Sequence, residues 1–409
     1  MGVTMKILMV NKFLYPNGGS ETYIFKIGEY LNAHGHEVQF FGMEHEGRIV
    51  GNRAESYTSD MDFHGSKFSK ITYPFKIIYS REARKKIRVV LDNFLPDVVH
   101  LNNINFQITP SIIYEIRDCE KKSGRHIQIV FTAHDYQWIC PNHMMYIPSS
   151  GEICDRCVKK GYSNCTKYKC IHNSKIKSLL GTMEAKYYAK RKTYGMVDRI
   201  ICPSQFLYNQ FSRNVLLKDK LIMLHNFIDI EAASAQTISS ENIPNHYVIY
   251  FGRYAAEKGI GTLLRVCKQL PEIPFVFAGS GPLEPEVNQV ANIHNMNFQS
   301  GTSLKALIAN ANFSVYPSEW YENCPFSVME SQMYGTPVIG AHIGGIPELI
   351  MEGKTGELFE SGNADELKEK IKDLWQDEAR TQTYKMNCLD MPFDNVENYC
   401  EKLLRIYQK

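Results

Sequence analysis

The sequence predicts an α/β protein made of two doubly wound parallel-sheet domains that face a central cleft. Three observations carry this. Short apolar strands alternate with helical patterns along the chain, as in a parallel sheet covered by helices. The 409 residues exceed one ordinary core, which favours two domains. A small, polar stretch at 230–246 separates two such series and reads as a linker.

The first series opens with a strand at Lys6–Val10 and a loop, Pro16-Asn17-Gly18-Gly19-Ser20. A helix is predicted from Glu21 to about Ala33, with Ser20 as its N-cap and Tyr23, Ile27, Tyr30 and Leu31 at helical spacing. Gly35 ends it, and Val38–Phe41 is the next strand. This strand, glycine loop, helix and strand form a Rossmann-like unit. Further strands are expected at 96–101, 127–132, 199–202 and 221–224. The second series has strands at 247–251, 275–278, 297–298, 313–316 and 337–339, and an amphipathic helix closes the chain at about 396–407. The predicted domains are 1–229, joined by the C-terminal helix at about 393–409, and 247–392.

Composition is globular, with 44% apolar and 22% charged residues. No run approaches the roughly 18–20 apolar residues of a membrane span. After Met5 only Ile7-Leu8-Met9-Val10 is apolar before Asn11-Lys12, so no signal peptide is expected and the cytoplasm is the expected compartment. The net charge of +2 hides an asymmetry: residues 1–229 hold 32 Lys and Arg against 21 Asp and Glu, the remainder 14 against 23. A basic first half suits a membrane surface or an anionic acceptor, or merely complements the second half.

The densest chemical signal is Glu322-Asn323-Cys324-Pro325-Phe326-Ser327-Val328-Met329-Glu330. Pro325 suits a helix start and Gly335 a stop, so a helix should run to about Met333. Its first amides, at Phe326 and Ser327, would form an anion site. Glu322, in the preceding loop, can hydrogen-bond sugar hydroxyls, and Glu330 a ribose diol. The bland reading is a solvated glutamate and a proline cap. A second signal, Phe251-Gly252-Arg253 with Glu257-Lys258-Gly259, puts two cations at a strand-to-helix turn, where they can neutralise a diphosphate. Lys258 could equally be a surface lysine. A third, Ala278-Gly279-Ser280-Gly281-Pro282, is a tight glycine turn and weak alone.

In this order over nearly the whole chain, these segments resemble the retaining glycosyltransferases of family 4, which have the GT-B fold. Thr132-Ala133-His134-Asp135, Val197 to Ser204 and His225-Asn226-Phe227-Ile228-Asp229 add to the likeness. The resemblance implies that Arg253 and Lys258 hold the donor diphosphate, that Glu322 contacts the transferred sugar and that Glu330 binds the ribose. It implies that the amides of Phe326 and Ser327 lie beneath the distal phosphate, that Gly18 and Gly19 close on the phosphates and that His134 reaches the donor sugar. Gly279, Gly281, Asn323 and Cys324 complete the donor set. The chain departs from many relatives in having Cys324-Pro325 where they carry Phe-Gly, and proline has no N–H for a sugar hydroxyl. The expected donor is a UDP-sugar first, with a GDP-sugar also admissible, and the acceptor a saccharide, free or lipid-linked. The leaving phosphate would take the acceptor proton on the same face, so no catalytic metal is required. The competing readings are a nucleotide-sugar epimerase, a zinc-containing nucleic-acid binder and a dinucleotide oxidoreductase. The second leaves Glu322, Glu330, Arg253 and Lys258 unexplained and shows no aromatic interleaving, so no nucleic-acid partner is expected. The third lacks Gly-x-Gly-x-x-Gly at the first turn.

Cys154-x2-Cys157 followed by Cys165 and Cys170 has the spacing of a structural zinc site, with Cys140 as an alternative ligand. Free thiols and disulfides are the alternatives. Two basic stretches, Arg81 to Arg88 and Asn173 to Lys192, could rest on an anionic membrane or be solvated helix faces.

Overall fold

The computed structural model describes residues 4–59, 77–228 and 243–408. The predicted linker lies mostly outside these residues, as does Asp229. The chain divides into two compact units: Met1–His225 with Val396–Lys409, and Asn226–Asn395.

Among the described residues, the main sheet of the first unit has six parallel strands: β1 (Lys6–Val10), β2 (Glu37–Phe41), β3 (Val98–Leu101), β4 (Gln128–Thr132), β7 (Arg199–Cys202) and β8 (Leu221–Met223). Their spatial order is β2-β1-β3-β4-β7-β8. All of β3 and β4 is buried, as helices on both faces of a parallel sheet require. The first helix begins at Gly19 and is capped by Gly18, not by Ser20. Ser20 lies in its first turn, and its hydroxyl donates to Glu21 and accepts from the Asn103 amide. That engagement is why it does not cap the helix.

The C-terminal helix, Val396–Tyr407, packs on Gly19–Ala33. Its Tyr399 and Tyr23 share a hydroxyl–hydroxyl hydrogen bond of 2.8 Å, and its Tyr407 hydroxyl lies 2.6 Å from His100 Nδ1 in the sheet. Between β4 and β7 the chain makes an excursion through the hairpin β5 (Tyr146–Ile147) and β6 (Glu152–Ile153) and the short helices Arg156–Lys160 and Ser163–Lys167. The excursion rests on the helix Lys175–Lys190.

The second unit repeats the plan with β9 (Val248–Phe251), β10 (Phe275–Ala278), β11 (Ile293–Asn295), β12 (Phe313–Tyr316), β13 (Val338–Ala341) and β14 (Gly356–Phe359). All are parallel, in the order β11-β10-β9-β12-β13-β14. The strand expected at 297–298 is instead β11, ending at Asn295. Asn297 adopts a left-handed backbone, φ 55°, which breaks extended structure. β14 was not anticipated. Its Gly356 lies so close to β13 that a Cβ would come 2.0 Å from the Val338 carbonyl oxygen. Among the described residues no helix is long and apolar enough to cross a membrane.

Candidate functional site

In a doubly wound sheet, ligands bind beyond the carboxyl ends of the strands, where the strand order reverses. In the second unit that point lies between β9 and β12. Both strands lead directly into the predicted site residues.

After β9 the chain turns through Gly252 and Arg253 to a short helical turn, Ala256–Lys258, and Gly259. Gly259 has φ 71°, and a Cβ there would come 1.8 Å from the Pro317 carbonyl oxygen. This contact presses the Lys258 turn against the segment that follows β12. Lys258 Nζ donates to Glu322 Oε1 at 2.6 Å and to the Tyr316 hydroxyl at 3.4 Å. The ammonium also lies 5.3 Å from the Trp320 ring centre. Glu322 Oε1 accepts two more bonds, from Trp320 Nε1 at 2.6 Å and Ser318 Oγ at 2.9 Å. Glu322 is only 6% exposed. Burial by itself would raise its pKa, but the Lys258 charge and the three donors outweigh burial and hold the carboxyl below its ordinary value. For Lys258 likewise, burial favours the neutral amine, and the Glu322 carboxylate overrides it and raises the pKa. The pair is therefore ionised at neutral pH.

Arg253 makes its own ion pair with Glu257, and its side chain is the more exposed of the two cations. The glycine turn after β10 adjoins it. A Cβ on Gly279 would come 1.9 Å from the Gly252 carbonyl oxygen, and one on Gly281 2.5 Å from that of Tyr254. The two strand-end loops can meet only because both positions are glycine.

The helix predicted after Pro325 runs Phe326–Met333. No side chain caps its start, so its first-turn N–H groups, including those of Phe326 and Ser327, lack intrahelical partners. Glu330 lies just over one turn in, and burial raises its pKa against the lowering charge of Lys305. Asn323 is partly exposed. Cys324 is buried: its sulfur faces Met329 Sδ at 3.9 Å and its carbonyl accepts from Asn226 Nδ2 at 3.2 Å. Burial pushes that thiol up to about 12, so its side chain serves the core. The loop after β13 also bears on the site, because Gly345 N donates to the Glu322 carbonyl at 2.8 Å. Sequence reasoning missed Tyr316, Ser318 and Trp320. Their only signal was three donor side chains within six residues before Glu322.

In the first unit the reversal lies between β1 and β3. Gly18 and Gly19 open the first helix there. His134, just past β4, has Nε2 2.8 Å from Asn102 Oδ1. The Asn102 amide nitrogen points to the Val10 and His100 carbonyls, so Oδ1 accepts and the His134 proton sits on Nε2. Burial lowers the His134 pKa to about 4. The imidazole is neutral at pH 7, with Nδ1 left as an acceptor.

Cys154, Cys157, Cys165 and Cys170 line one small cavity of about 10 Å³, and Cys140 joins them. All five are free thiols. Among the described residues no three Cys, His, Asp or Glu side chains are posed together as metal ligands. Ile147, Cys165 and Cys170 form an apolar cluster, with Cys154 and Cys157 packed against it.

Residues 17–232 match Glycosyltransferase Family 4, and residues 235–387 match Glycosyl transferases group 1. The chain belongs to glycosyltransferase family 4. It is 26% identical over 219 residues to the uncharacterized glycosyltransferase MJ1178 of Methanocaldococcus jannaschii, covering 52% of this chain and 59% of that one. It is 34% identical over 136 residues to the sulfoquinovosyl transferase SQD2 of Arabidopsis thaliana, covering 32% and 26%. These matches span less than two thirds of the relatives' length. Among solved structures, sucrose-phosphate synthase of Thermosynechococcus elongatus superposes with TM-score 0.69 at 17% identity, covering 99% of this chain and 98% of that one. Anabaena HepE in complex with UDP and glucose gives 0.65 at 15%, covering 99% of each. At such identities they show the fold, which is GT-B.

Proposed function

We propose that this family 4 protein transfers a sugar from a nucleoside diphosphate sugar to a saccharide acceptor, with retention at the anomeric carbon. The observation that supports this best is the buried Lys258–Glu322 pair at the strand-order reversal, beside the uncapped start of Phe326–Met333. Lys258, Arg253 and that helix start concentrate positive potential where a diphosphate would develop charge as it leaves. Glu322 receives its three donors on Oε1. Its Oε2 would accept from a sugar hydroxyl and orient the ring, and Glu330 would accept from the ribose diol.

In the proposed step the bond from the anomeric carbon to the phosphate oxygen breaks, and its electron pair stays on the phosphate. The acceptor oxygen bonds that carbon on the same face. The acceptor proton passes to the departing phosphate. The chain's part is electrostatic and positional, as family membership would suggest. By the resemblance, Gly18, Gly19 and His134 of the first domain also serve the donor. A UDP-sugar is the first choice, because the HepE structure named above carries UDP and glucose.

The test is a thermal-shift panel of UDP-, GDP- and ADP-sugars on wild type and Glu330→Ala. Stabilisation by one nucleotide class, lost in the variant, is expected. A flat panel on folded protein would overturn the donor assignment.

A further inference from the structure

The helix Lys175–Lys190 is packed the wrong way round for a helix of a water-soluble core. Its buried residues are Ser178, Gly181, Thr182, Glu184 and Tyr188. The small and hydroxyl-bearing residues face inward because they hold the cysteine excursion. Ser178 Oγ accepts from Ile171 N at 2.9 Å, and Thr182 Oγ1 lies 2.8 Å from Thr166 Oγ1 and donates to the Tyr162 carbonyl at 3.2 Å. Gly181 permits the approach, since a Cβ there would come 2.5 Å from Ile171. With that face committed to polar contacts, the apolar residues are left outside. Ile176 is 74% exposed, and Leu179 and Met183 are each 47% exposed. They stand at i, i+3 and i+7, which makes one stripe on the helix surface.

Cations accompany the stripe. Lys175, Lys177, Lys186 and Lys190 lie on the helix, and Arg191 and Lys192 follow it. All six are exposed. The one acid of the helix, Glu184, is on the buried face. Lys186 is lightly tethered to Ser163 Oγ at 2.7 Å, and the Arg191 guanidinium lies 4.9 Å over the Tyr187 ring.

From this juxtaposition we infer that the outer face of Lys175–Lys190 docks on an anionic lipid bilayer, with Ile176, Leu179 and Met183 entering the headgroup boundary and the lysines meeting lipid phosphates. An exposed apolar row that shares its helix face with Lys175, Lys186 and Lys190 is the pattern of an interfacial helix. A protein partner or second copy would need neither the one-sided excess of cations nor so narrow an apolar row. The docking does not depend on which donor the protein uses.

Vesicle flotation tests this on the full chain, with phosphatidylcholine vesicles containing or lacking phosphatidylglycerol. Wild type is expected to float with the anionic vesicles only, and less as salt rises. The triple change Ile176→Ser, Leu179→Ser, Met183→Ser should lower partitioning by about tenfold or more, as should Lys175→Glu with Lys190→Glu. All five positions are exposed, so the variants should keep wild-type melting temperatures. The inference fails if wild type ignores anionic vesicles or if the triple serine variant binds as wild type does. It also fails if sedimentation shows a dimer that the triple variant loses, because the stripe would then be a contact between copies.

Discussion

Replacing Lys258 by alanine separates the ion pair's structural part from its proposed catalytic part. Lys258 Nζ stands 2.6 Å from Glu322 Oε1, with side-chain exposures of 20% and 8%. Removing one partner of a buried pair costs about 3–5 kcal/mol when the other charge is left alone. Here Ser318 and Trp320 still donate to Glu322, so a loss near the lower end of that range is expected. With its main counter-charge gone, burial should raise the Glu322 pKa. On the catalytic side, loss of one preorganised charge donor should lower kcat by about a hundredfold to a thousandfold. The two are distinguished by combining Lys258→Met with Glu322→Gln, which removes both charges at similar volume. The double variant should regain most of the stability lost by Lys258→Ala and none of the turnover. The assay is initial-rate transfer of labelled sugar, with thermal unfolding alongside. If Lys258→Ala folds and keeps kcat within about threefold of wild type, the charge-stabilisation reasoning is wrong.

Other outcomes follow from single contacts. Glu184 is buried, and burial raises its pKa to about 8 from 4.5. Its folded pKa lies above the unfolded value, so its contribution is full below about pH 4.5 and is lost as pH rises towards 8. Glu184→Gln should therefore raise the melting temperature at pH 7–8, by on the order of 3 kcal/mol of stability at pH 7, with little effect at pH 4. His100 and His134 act in the opposite sense. Burial lowers their pKa values to about 3 and about 4, so stability should fall as pH drops below about 6.5. A urea titration from pH 7 to pH 4 would show it, and a flat profile would refute it. Gly259→Ala should weaken both donor binding and folding, because its Cβ would press on the Pro317 carbonyl at a backbone φ of 71°. Equal midpoints in urea for variant and wild type would contradict that. The cysteines set two expectations against each other. Their spacing predicts one zinc per chain with chelator sensitivity, and their packing as free thiols around one cavity predicts no zinc, with the half-buried Cys154 and Cys157 reacting in the folded chain and Cys140, Cys165 and Cys170 only on unfolding. Metal analysis with thiol titration decides between them.

The sequence alone determined the elements whose signals are local. The helix Phe326–Met333 was legible because Pro325 and Gly335 punctuate it, and most strands were legible because a covered parallel sheet makes nearly every strand residue apolar. β14 and the end of β11 were not, since a four-residue run and one left-handed asparagine carry little pattern. Only the tertiary structure decided the contacts between distant segments. Tyr407 meets His100 across 307 positions, and Lys258 meets Glu322 across 64. Nothing in either segment names the other, because such pairs form when strand order brings two loops together. The same holds for orientation. The cations around Lys175–Lys190 could be counted in the sequence. That its apolar row faces outward was settled by hydroxyl bonds from Ser178 and Thr182 to the excursion, which claim the inner face first.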